Sequence, residues 1–289
     1  MTLLRTPAEM QRWALGARSA GRRIGCVPTM GCLHDGHLSL VRCARERAGL
    51  VVLTLFVNPA QFGPQEDLAR YPRTEARDLE LCRAAGVDAV FVPAAADMYA
   101  PGHSVYVMEE RLGRGLCGAG RSGHFRGVCT VVAKLFNLTL PHVAVFGRKD
   151  FQQAAIVRRM VRDLNFPVEI VVAPTVREAD GLAMSSRNRF LDPTQRRQAL
   201  GLSRCLAAAR GAWAGGETGA TAVCARMRAR LAEEHGLRVE YVEAVDGTSL
   251  DPAPTLRPGV VLAVAAFAGD TRLIDNTVLG EADPGLPDE

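Results

Sequence analysis

The stretch that decides the fold lies near the N-terminus and reads Ile24-Gly-Cys-Val27-Pro-Thr-Met-Gly31-Cys-Leu-His34-Asp-Gly36-His37. Residues 24–27 are a short apolar run after a Gly-Arg-Arg turn, which is typical of a buried strand. From Leu38 to Ala48, apolar residues recur at helical spacing on one face. The sequence therefore predicts a first strand, a glycine-containing turn, and two histidines at the start of the helix that follows.

The same strand-then-helix pattern repeats through the first 175 residues. Further buried strands are predicted at 50–57, 89–92, 143–146 and 168–172. Helices are predicted at 7–20, 36–48, 74–85, 128–138 and 150–164, the first with Thr6 as N-cap, Pro7 at its start and Glu9 at its third position. Because strands that alternate with helices build parallel sheets, residues 1–175 are expected to form an α/β domain with a Rossmann-like, doubly wound parallel sheet.

The pattern changes beyond this domain. Two long helices are predicted at 193–213 and 219–235, and three short alternating strands at 239–244, 260–267 and 271–277. These elements indicate a smaller C-terminal α+β domain over residues 176–280. Residues 281–289 combine prolines, a glycine and acidic side chains, and we expect a disordered tail there.

The composition of the 289-residue chain is that of an ordinary globular protein, with 48% hydrophobic and 23% charged residues. Its 35 basic and 31 acidic residues are intermingled, so the net charge of +4 predicts no basic stripe for nucleic acid. The N-terminal residues contain no apolar run of the length that export or membrane insertion requires. We expect no nucleic-acid or membrane partner, and a cytoplasmic location.

The cysteines agree with that location. Eight are present, none of them in a Cys-x-x-Cys pair, and most lie in apolar or helical surroundings. This pattern favours buried thiols in a reducing compartment over disulfides or a metal centre.

The turn after the first strand has the chemistry of a phosphate site. It lies at the predicted carboxyl edge of the sheet, where open α/β sheets bind ligands. Backbone amides and the helix dipole favour phosphate there, and Gly31 and Gly36 allow the backbone to approach closely. Two other interpretations stay open: the glycines only make a turn in which the histidines cap or pack, or His34 and His37 bind zinc. No spacing in the sequence places a third zinc ligand beside them.

Motifs over residues 28–191 narrow these choices. The chain contains, in order, Pro28-Thr-Met-Gly-Cys-Leu-His-Asp-Gly-His-Leu-Ser-Leu-Val41, Phe56-Val-Asn-Pro-Ala-Gln61-Phe-Gly63, Tyr71-Pro-Arg-Thr74, Gly147-Arg-Lys-Asp-Phe-Gln-Gln153 and Arg177-Glu-Ala-Asp-Gly-Leu-Ala-Met-Ser-Ser-Arg-Asn188. The His-x-Gly-His segment resembles the superfamily of nucleotidyltransferases and class I aminoacyl-tRNA synthetases. The whole set resembles the pantothenate synthetase (pantoate–β-alanine ligase) family, and the C-terminal third agrees with it in length and pattern.

The resemblance implies a two-step ligase reaction. Pantoate and ATP, aided by Mg²⁺, give a pantoyl-adenylate and pyrophosphate, and β-alanine then attacks the acyl carbon to give pantothenate and AMP. Catalytic roles are implied for His34, His37, Lys149, Ser185, Ser186 and Arg187. ATP contacts are implied for Met30, Gly31, Cys32, Leu33, His34, Asp35, Gly36, His37, Gly147, Arg148, Lys149, Asp150, Val176, Met184, Ser185, Ser186 and Arg187. The family also implies a homodimer, while the Mg²⁺ ligands and the division of labour between His34 and His37 stay open.

Two further segments complete the expected site. Residues 184–187 are similar to the second superfamily signature, Lys-Met-Ser-Lys-Ser, a mobile loop that closes over the triphosphate, so that residues 176–280 would act as a lid. Gln61 and Gln153 are neutral amides suited to the hydroxyls and carboxylate of pantoate, and Gln61 also suits β-alanine. Further candidates for the pantoate pocket are Asn58, Phe62, Tyr71, His124 and Val131.

Three residues depart from the pattern of the pantothenate synthetase family. Arg148 stands where Glu is usual, Phe151 where Tyr is common and Cys32 where Ala is common. The effect of Arg148 on the affinity for ATP stays open.

Residues 113–118, Gly-Arg-Gly-Leu-Cys-Gly, match the dinucleotide pattern G-x-G-x-x-G. No clear strand precedes them and no helix is predicted after them, so we interpret them as a flexible loop over the site.

Two other functions are weighed against the ligase. A related adenylyl transferase acting on a phosphorylated acceptor would share the histidines but lacks the sequence contexts of Gln61 and Gln153. A non-catalytic nucleotide-sensing or RNA-binding module would need the net positive charge gathered in one patch.

Overall fold

Strand β2 (Ile24–Thr29), which carries the start of the quoted stretch, is an inner strand of a six-stranded parallel sheet. The structure is a computed structural model and describes residues 1–64 and 66–287; Gln65, Asp288 and Glu289, the last two from the predicted tail, lie outside the described residues. The chain divides into two units. The first unit comprises Met1–Arg114, Gly118–Gly147 and Gln153–Ala173, and the second comprises Gly115–Cys117, Arg148–Gln152 and the residues from Pro174 onward.

The first unit contains the parallel sheet and its helices, apart from Cys117 and residues 151–152 at the starts of two of those helices, which belong to the second unit. Its strand order is β1-β4-β3-β2-β5-β6. In chain order, the elements are β1 (Thr2–Leu4), α1 (Pro7–Ser19), β2, α2 (Asp35–Arg45), β3 (Leu50–Leu55), α3 (Glu75–Ala84), β4 (Ala89–Phe91), α4 (Ala95–Met98), α5 (Cys117–Gly120), α6 (His124–Thr139), β5 (Val143–Gly147), α7 (Phe151–Asp163) and β6 (Glu169–Ala173). The predicted doubly wound α/β fold is confirmed.

Local sequence explains how these elements begin and where they pack. Thr6 Oγ1 accepts the Glu9 N–H at 3.3 Å and a Glu9 carboxylate oxygen accepts the Thr6 N–H at 2.9 Å, so α1 starts with the expected capping box. The inner strands β2, β3 and β5 are almost wholly apolar, because helices cover both faces of a parallel sheet. Val27, Leu53 and Val145 are completely buried in its core.

The second unit has a different architecture. It contains the helices α8 (Pro193–Ala214) and α9 (Ala220–Ala232) and an antiparallel sheet of β7 (Leu237–Asp246), β8 (Val260–Ala268) and β9 (Thr271–Val278), in the order β7-β8-β9. Leu206, Leu231 and Leu262 are buried in one apolar core formed by these elements. This is the smaller α+β layer expected at the C-terminal end.

Several predicted boundaries were wrong. Helix α6 begins at His124, four residues before the predicted start, and the short edge strand β1 was missed altogether. The prediction that no helix follows Gly113–Gly118 is also wrong, because the four-residue helix α5 and then α6 lie there. In the described chain, however, residues 99–112 form no strand, so the context of a dinucleotide site is missing. Among residues 1–64 and 66–287, no helix is long and apolar enough to cross a membrane.

Candidate active site

The turn between β2 and α2 has an unusual backbone. Gly31 and Cys32 have φ values of 84° and 51°, both in the left-handed region. Glycine adopts this conformation without strain, whereas Cys32 adopts it at some cost in free energy. A Cβ atom placed on Gly31 would lie 3.1 Å from a carboxylate oxygen of Asp78, so the turn is also tightly packed. The neighbouring structure must therefore hold Cys32 in place.

Asp78 of α3 supplies that support. Its side chain is buried, and its two oxygens accept the backbone N–H groups of Cys32 at 2.9 Å and Leu33 at 2.8 Å. Thr74 Oγ1 donates a further hydrogen bond at 3.1 Å. The backbone N–H groups of Cys32 and Leu33 thus donate to a carboxylate, and these two residues shape the turn. Any backbone N–H group of the turn that binds a ligand must belong to another residue. Sequence reasoning missed Asp78, although an acid beside Leu79 and Cys82 on the buried face of a helix was a signal.

His34 and His37 lie against each other at the start of α2. Their ring centroids are 4.1 Å apart, and the backbone N–H of His34 donates to Nδ1 of His37 at 3.3 Å. Because a backbone N–H can only donate, Nδ1 accepts, and the proton of the neutral His37 ring lies on Nε2. His37 is therefore oriented as an Nε2 donor at the positive end of the helix.

Gln61 follows strand β3 in a 3₁₀ turn, Pro59–Gln61, and is buried. Its Oε1 accepts from Asn58 at 3.1 Å, and its Nε2 lies 3.1 Å from the Met30 sulfur. Asn58 also donates to the Gly127 carbonyl at 3.1 Å and accepts from the Tyr99 hydroxyl at 2.7 Å. The amide of Gln61 is consequently held in one orientation, beside a residue of the β2–α2 turn.

His124 is fixed from both sides of its ring. Nδ1 lies 2.8 Å from the Gln61 carbonyl oxygen, and Nε2 lies 3.0 Å from a guanidinium nitrogen of Arg121. A carbonyl only accepts and a guanidinium only donates, so these two partners favour the tautomer that carries its proton on Nδ1. Arg121 also pairs with Glu66. Burial acts to raise the pKa of Glu66, but the hydrogen bond and charge of Arg121 outweigh it, and the net pKa is lowered.

The structure distinguishes the two adjacent glutamines at the start of α7. Gln152 is buried and belongs to the second unit, where it accepts the Cys117 N–H at 3.0 Å and donates to the Gly115 carbonyl at 2.8 Å. Gln153 is half-buried and belongs to the first unit, as Gln61 does. Since β3 and β5 flank β2, Gln61 and Gln153 follow the two neighbours of the strand that leads to the histidines.

Lys149 lies in a 3₁₀ turn, Arg148–Asp150, directly after β5. The side-chain amide of Asn276 in β9 donates to the carbonyls of Arg148 at 3.1 Å and Lys149 at 2.9 Å, which fixes the backbone of the turn. The ammonium group of Lys149 lies 3.4 Å from the Asp150 carboxylate. Asn276 was missed, although the polar pair Asp275-Asn276 inside an apolar strand was a signal.

The Met184–Arg187 segment directly follows a tight hairpin of the second unit, residues 177–183. Arg177 pairs with Ala183 in an antiparallel bridge, and the Met184 N–H donates to the Val176 carbonyl at 2.9 Å. Ser185 then caps a 3₁₀ turn by accepting the Arg187 N–H at 3.3 Å. The hairpin is anchored by Arg177, which pairs with Asp275 at 2.7 Å while both side chains are almost completely buried. Burial raises the pKa of Asp275, and the charge of Arg177 opposes that shift.

The predicted site residues fall into two sets. The first unit holds Met30 to His37, Gln61, Gly147 and Gln153. The second unit holds Arg148, Lys149, Asp150, Val176 and Met184 to Arg187. Of the remaining pocket candidates, Phe62 and Tyr71 pack edge to face in the first unit and Val131 is buried in α6. Within the described residues, no group of three or more His, Cys, Asp or Glu side chains is arranged to hold a metal.

Known proteins resemble the chain over nearly its whole length. A pantothenate synthetase of Anaeromyxobacter dehalogenans is 59% identical over 281 residues, covering 95% of this chain and 97% of that one. A second from Moorella thermoacetica is 53% identical, with 96% and 99% covered.

Two solved structures are also similar to this chain over nearly its whole length. The crystal structure of pantothenate synthetase from Thermus thermophilus matches with a TM-score of 0.90 at 44% identity, covering 96% of this chain and 99% of that one. A pantoate–β-alanine ligase from Francisella tularensis, complexed with β-γ ATP and β-alanine, matches with a TM-score of 0.80 at 28% identity, with 98% and 99% covered. The family model described as pantoate–β-alanine ligase matches residues 2–278, and the chain belongs to that family.

Proposed function

We propose that this chain condenses (R)-pantoate with β-alanine at the expense of ATP, through a pantoyl-adenylate, and releases pantothenate, AMP and pyrophosphate. The observation that carries the proposal is the orientation of His37 as an Nε2 donor at the start of α2, after the carboxyl end of an inner parallel strand. Phosphate binding is favoured at such a helix start. The Francisella relative, which was solved as a complex with β-γ ATP and β-alanine, supports the same substrates here.

The first step joins the pantoate carboxylate to the α-phosphorus of ATP. A carboxylate oxygen forms the new P–O bond, and the bond from the α-phosphorus to the bridging oxygen of pyrophosphate breaks. Negative charge grows on the α-phosphate and on the departing pyrophosphate. His34, His37 and Lys149 stabilise that charge as donors, and Ser185, Ser186 and Arg187 bind the pyrophosphate oxygens. The nucleotide would lie against Met30 to His37, Gly147, the backbone of Arg148, Asp150, Val176 and Met184.

The second step transfers the pantoyl group. The neutral amine of β-alanine attacks the acyl carbon, the C–O bond to AMP breaks, and the amine loses a proton. Gln61 and Gln153 hydrogen-bond to the pantoyl hydroxyls and to a carboxyl oxygen, which becomes the acyl oxygen of the adenylate, because neutral amides bind these groups without burying a charge. The hydrogen bond that Asn58 donates to Gln61 fixes the amide in advance, so less ordering remains when pantoate binds.

Mg²⁺ is proposed to enter with the triphosphate of ATP. Few protein ligands are needed for this ion, because Mg²⁺ in nucleotide sites is held mainly by phosphates, waters and one or two carboxylates. Asp35 and Asp150 are the two carboxylates of the proposed ATP set, and either would be a suitable ligand for the ion. When bound, the ion neutralises charge on the phosphate oxygens.

The proposal is tested by ATP–pyrophosphate exchange without any amine, across a panel of hydroxy acids and phosphorylated acceptors. Exchange is expected with pantoate alone, and amide formation once β-alanine is added. Absence of exchange with pantoate contradicts the substrate assignment. Transfer of AMP to a phosphorylated acceptor favours the related adenylyl transferase, and tight RNA binding at physiological salt without ATP turnover favours the RNA-binding module.

A homodimer in the cytoplasm is proposed as the working form. The segment 103–108 supports the dimer, because Val105 is 76% exposed and Met108 is 59% exposed on one short stretch of the first unit. All eight cysteines lie in the described part of the chain and none forms a disulfide, in keeping with a reducing compartment. Sedimentation should give a dimer for the unmodified chain and for Leu164→Asp, a separate exposed site, and a monomer for Val105→Asp with Met108→Asp. A monomeric unmodified chain contradicts the proposal.

A further inference from the structure

The C-terminal residues 281–287 belong to the second unit and lie beyond residue 278, where the family match ends. Leu286 packs against the apolar core of that unit, and its N–H donates to the Asp283 carbonyl at 3.2 Å. This segment, for which the sequence suggested disorder, thus makes specific contacts. They fall on Arg177, which follows the proposed ATP contact Val176, and on the side chain of Arg148, which is itself in the proposed ATP set.

The first of these residues is Arg177, at the base of the hairpin that ends at Met184. Besides Asp275, its guanidinium lies 3.4 Å from one carboxylate oxygen of Asp283 and 3.5 Å from the other. The side chain of Arg177 is 1% exposed and that of Asp283 is 6% exposed, so this contact is withdrawn from water. Asp283 is therefore a second carboxylate for the arginine that anchors the hairpin, and it comes from outside the family match.

Close packing accompanies this ion pair. A Cβ atom on Gly285 would lie 3.5 Å from the Arg177 Cβ, so the backbone of the segment lies directly on the arginine side chain. At the tip of the hairpin, a Cβ atom on Gly181 would lie 3.1 Å from the Pro287 ring. Residues 283–287 thus cover one side of the hairpin from its base to its tip.

The second residue is Arg148, which immediately precedes Lys149. Its guanidinium pairs with the Glu281 carboxylate at 2.7 Å and donates to the Ala282 carbonyl at 3.2 Å. Arg148 is the residue that departs from the family pattern, where Glu is usual. A Glu at this position would face the negative charge of Glu281, so the arginine suits the C-terminal segment that this chain carries.

We propose that residues 281–287 are a positioning element for the ATP-binding part of the second unit, with Asp283 and Glu281 as its two anchors. Through Arg177 the segment holds the hairpin that presents Ser185, Ser186 and Arg187, and through Arg148 it holds the turn that carries Lys149. This inference rests on the proposed function, since it assigns those residues to ATP.

The direct test compares a chain ended after Gly280 with a control chain ended after Pro287. The shorter chain is expected to raise the KM for ATP about tenfold while the KM for pantoate stays within about twofold, because Gln61 and Gln153 are in the first unit. The control is expected to match the full chain. A shortened chain that is merely less heat-stable, with an unchanged KM for ATP well below its melting temperature, overturns the proposal. If the shorter chain does not fold, Asp283→Asn is measured in the same way and should shift the KM for ATP in the same direction.

A charge exchange tests the other anchor. Arg148→Glu is expected to raise the KM for ATP about fivefold, and the double change Arg148→Glu with Glu281→Arg should restore it to within about twofold, since the pair is reformed in reverse. Failure of the double change to restore the KM means that Arg148 acts on ATP directly, and it overturns the pairing with Glu281.

Hydrogen–deuterium exchange separates this inference from the proposed function, because it needs no turnover. Backbone amides of 176–188 are expected to exchange faster in the chain ended after Gly280 than in the control. If pantoate gives no ATP–pyrophosphate exchange, the ligase assignment fails, whereas unchanged protection of the hairpin contradicts the positioning role whatever the substrate is.

Discussion

The carboxylate of Asp78 accepts the backbone N–H of Cys32 at 2.9 Å, and its second oxygen accepts the next amide along the chain. This pair explains how a non-glycine residue is held at a φ of 51° in the turn that leads to His34 and His37. Charge-assisted hydrogen bonds in a buried place are strong enough to offset the backbone strain of one residue. The position of both histidines therefore depends on an acid from another helix.

Asp78→Asn is expected to lower the free energy of unfolding by about 2 kcal/mol, because a neutral amide replaces one acceptor oxygen with a donor that faces an N–H group. It should also raise the KM for ATP about tenfold, since the turn that positions the histidines is loosened. Chemical denaturation and steady-state kinetics measure the two effects. Asp163→Asn, at an exposed aspartate, is the control and should change neither. A destabilised Asp78 variant with normal ATP kinetics would show that the carboxylate serves folding alone.

His37→Ala and Lys149→Ala are each expected to lower kcat by about 10²-fold or more, as for removal of one donor that stabilises growing charge. The chain offers matched controls, because its only other lysine is Lys134, and His235 is an exposed histidine. Lys134→Ala and His235→Ala should keep kcat within about twofold. Single-turnover rates of adenylate formation make the measurement. A folded Lys149→Ala chain with a normal rate would remove Lys149 from the mechanism.

Apart from the missed edge strand β1, the order of the main strands and helices and the motifs of the candidate site could be predicted from the sequence, because both are local patterns. Strand β2, the turn and α2 follow from one apolar run, two glycines and one helical face. The supports of the site could not be predicted in the same way. Asp78, Asn276 and Asp283 act on backbone groups or side chains far away in sequence, and only the folded chain shows which group each one meets.

Gly127 illustrates why the start of α6 was placed too late. A glycine is unfavourable inside a helix, and the predicted helix therefore began only at Val128. In the structure, Gly127 lies inside α6, and a Cβ atom there would clash with the backbone carbonyl of Ala60. The glycine is required by a close approach between the helix and the turn that carries Gln61, which is a tertiary contact without a local signal.

The close contact between Gly127 and the Ala60 backbone predicts that substitutions at two helical glycines change the free energy of unfolding in opposite directions. Gly127→Ala is expected to lower the free energy of unfolding by about 3 kcal/mol and to raise the KM for pantoate, because the backbone around Gln61 must move. Gly16→Ala, in α1 with open space around the added methyl group, should raise stability by about 0.5–1 kcal/mol. Urea denaturation compares them, with pantoate kinetics on the same samples. Equal effects of the two changes would contradict the close packing at Gly127.

The Glu66–Arg121 pair predicts that the free energy of unfolding depends on pH. The pKa of Glu66 is lowered in the folded chain, so its contribution is present above the ordinary glutamate pKa and is lost as the pH falls through the lowered value. Glu66→Gln should cost about 1 kcal/mol at pH 7, and this difference from the unmodified chain should shrink as the pH falls below about 4. Glu46→Gln, at an acid whose side chain is 71% exposed, is the control and should cost little at any pH. A Glu66→Gln deficit that persists undiminished at low pH would show that packing, not charge, is responsible.

The cysteines provide a probe of the β2–α2 turn that leaves the sequence unchanged. Burial raises the pKa of Cys26, Cys82, Cys129 and Cys205 to about 12, so these thiols should resist alkylation near neutral pH. Cys32 and Cys43 are half-buried and are expected to react first. ATP should slow alkylation of Cys32, which lies in the turn, and leave Cys43 as an internal control on the far part of α2. Mass spectrometry of labelled peptides gives both rates from one sample. Because both thiols report on the same native molecule, equal protection of the two would indicate a general tightening of the chain, whereas protection of Cys32 alone would locate the nucleotide at the turn that His34 and His37 follow.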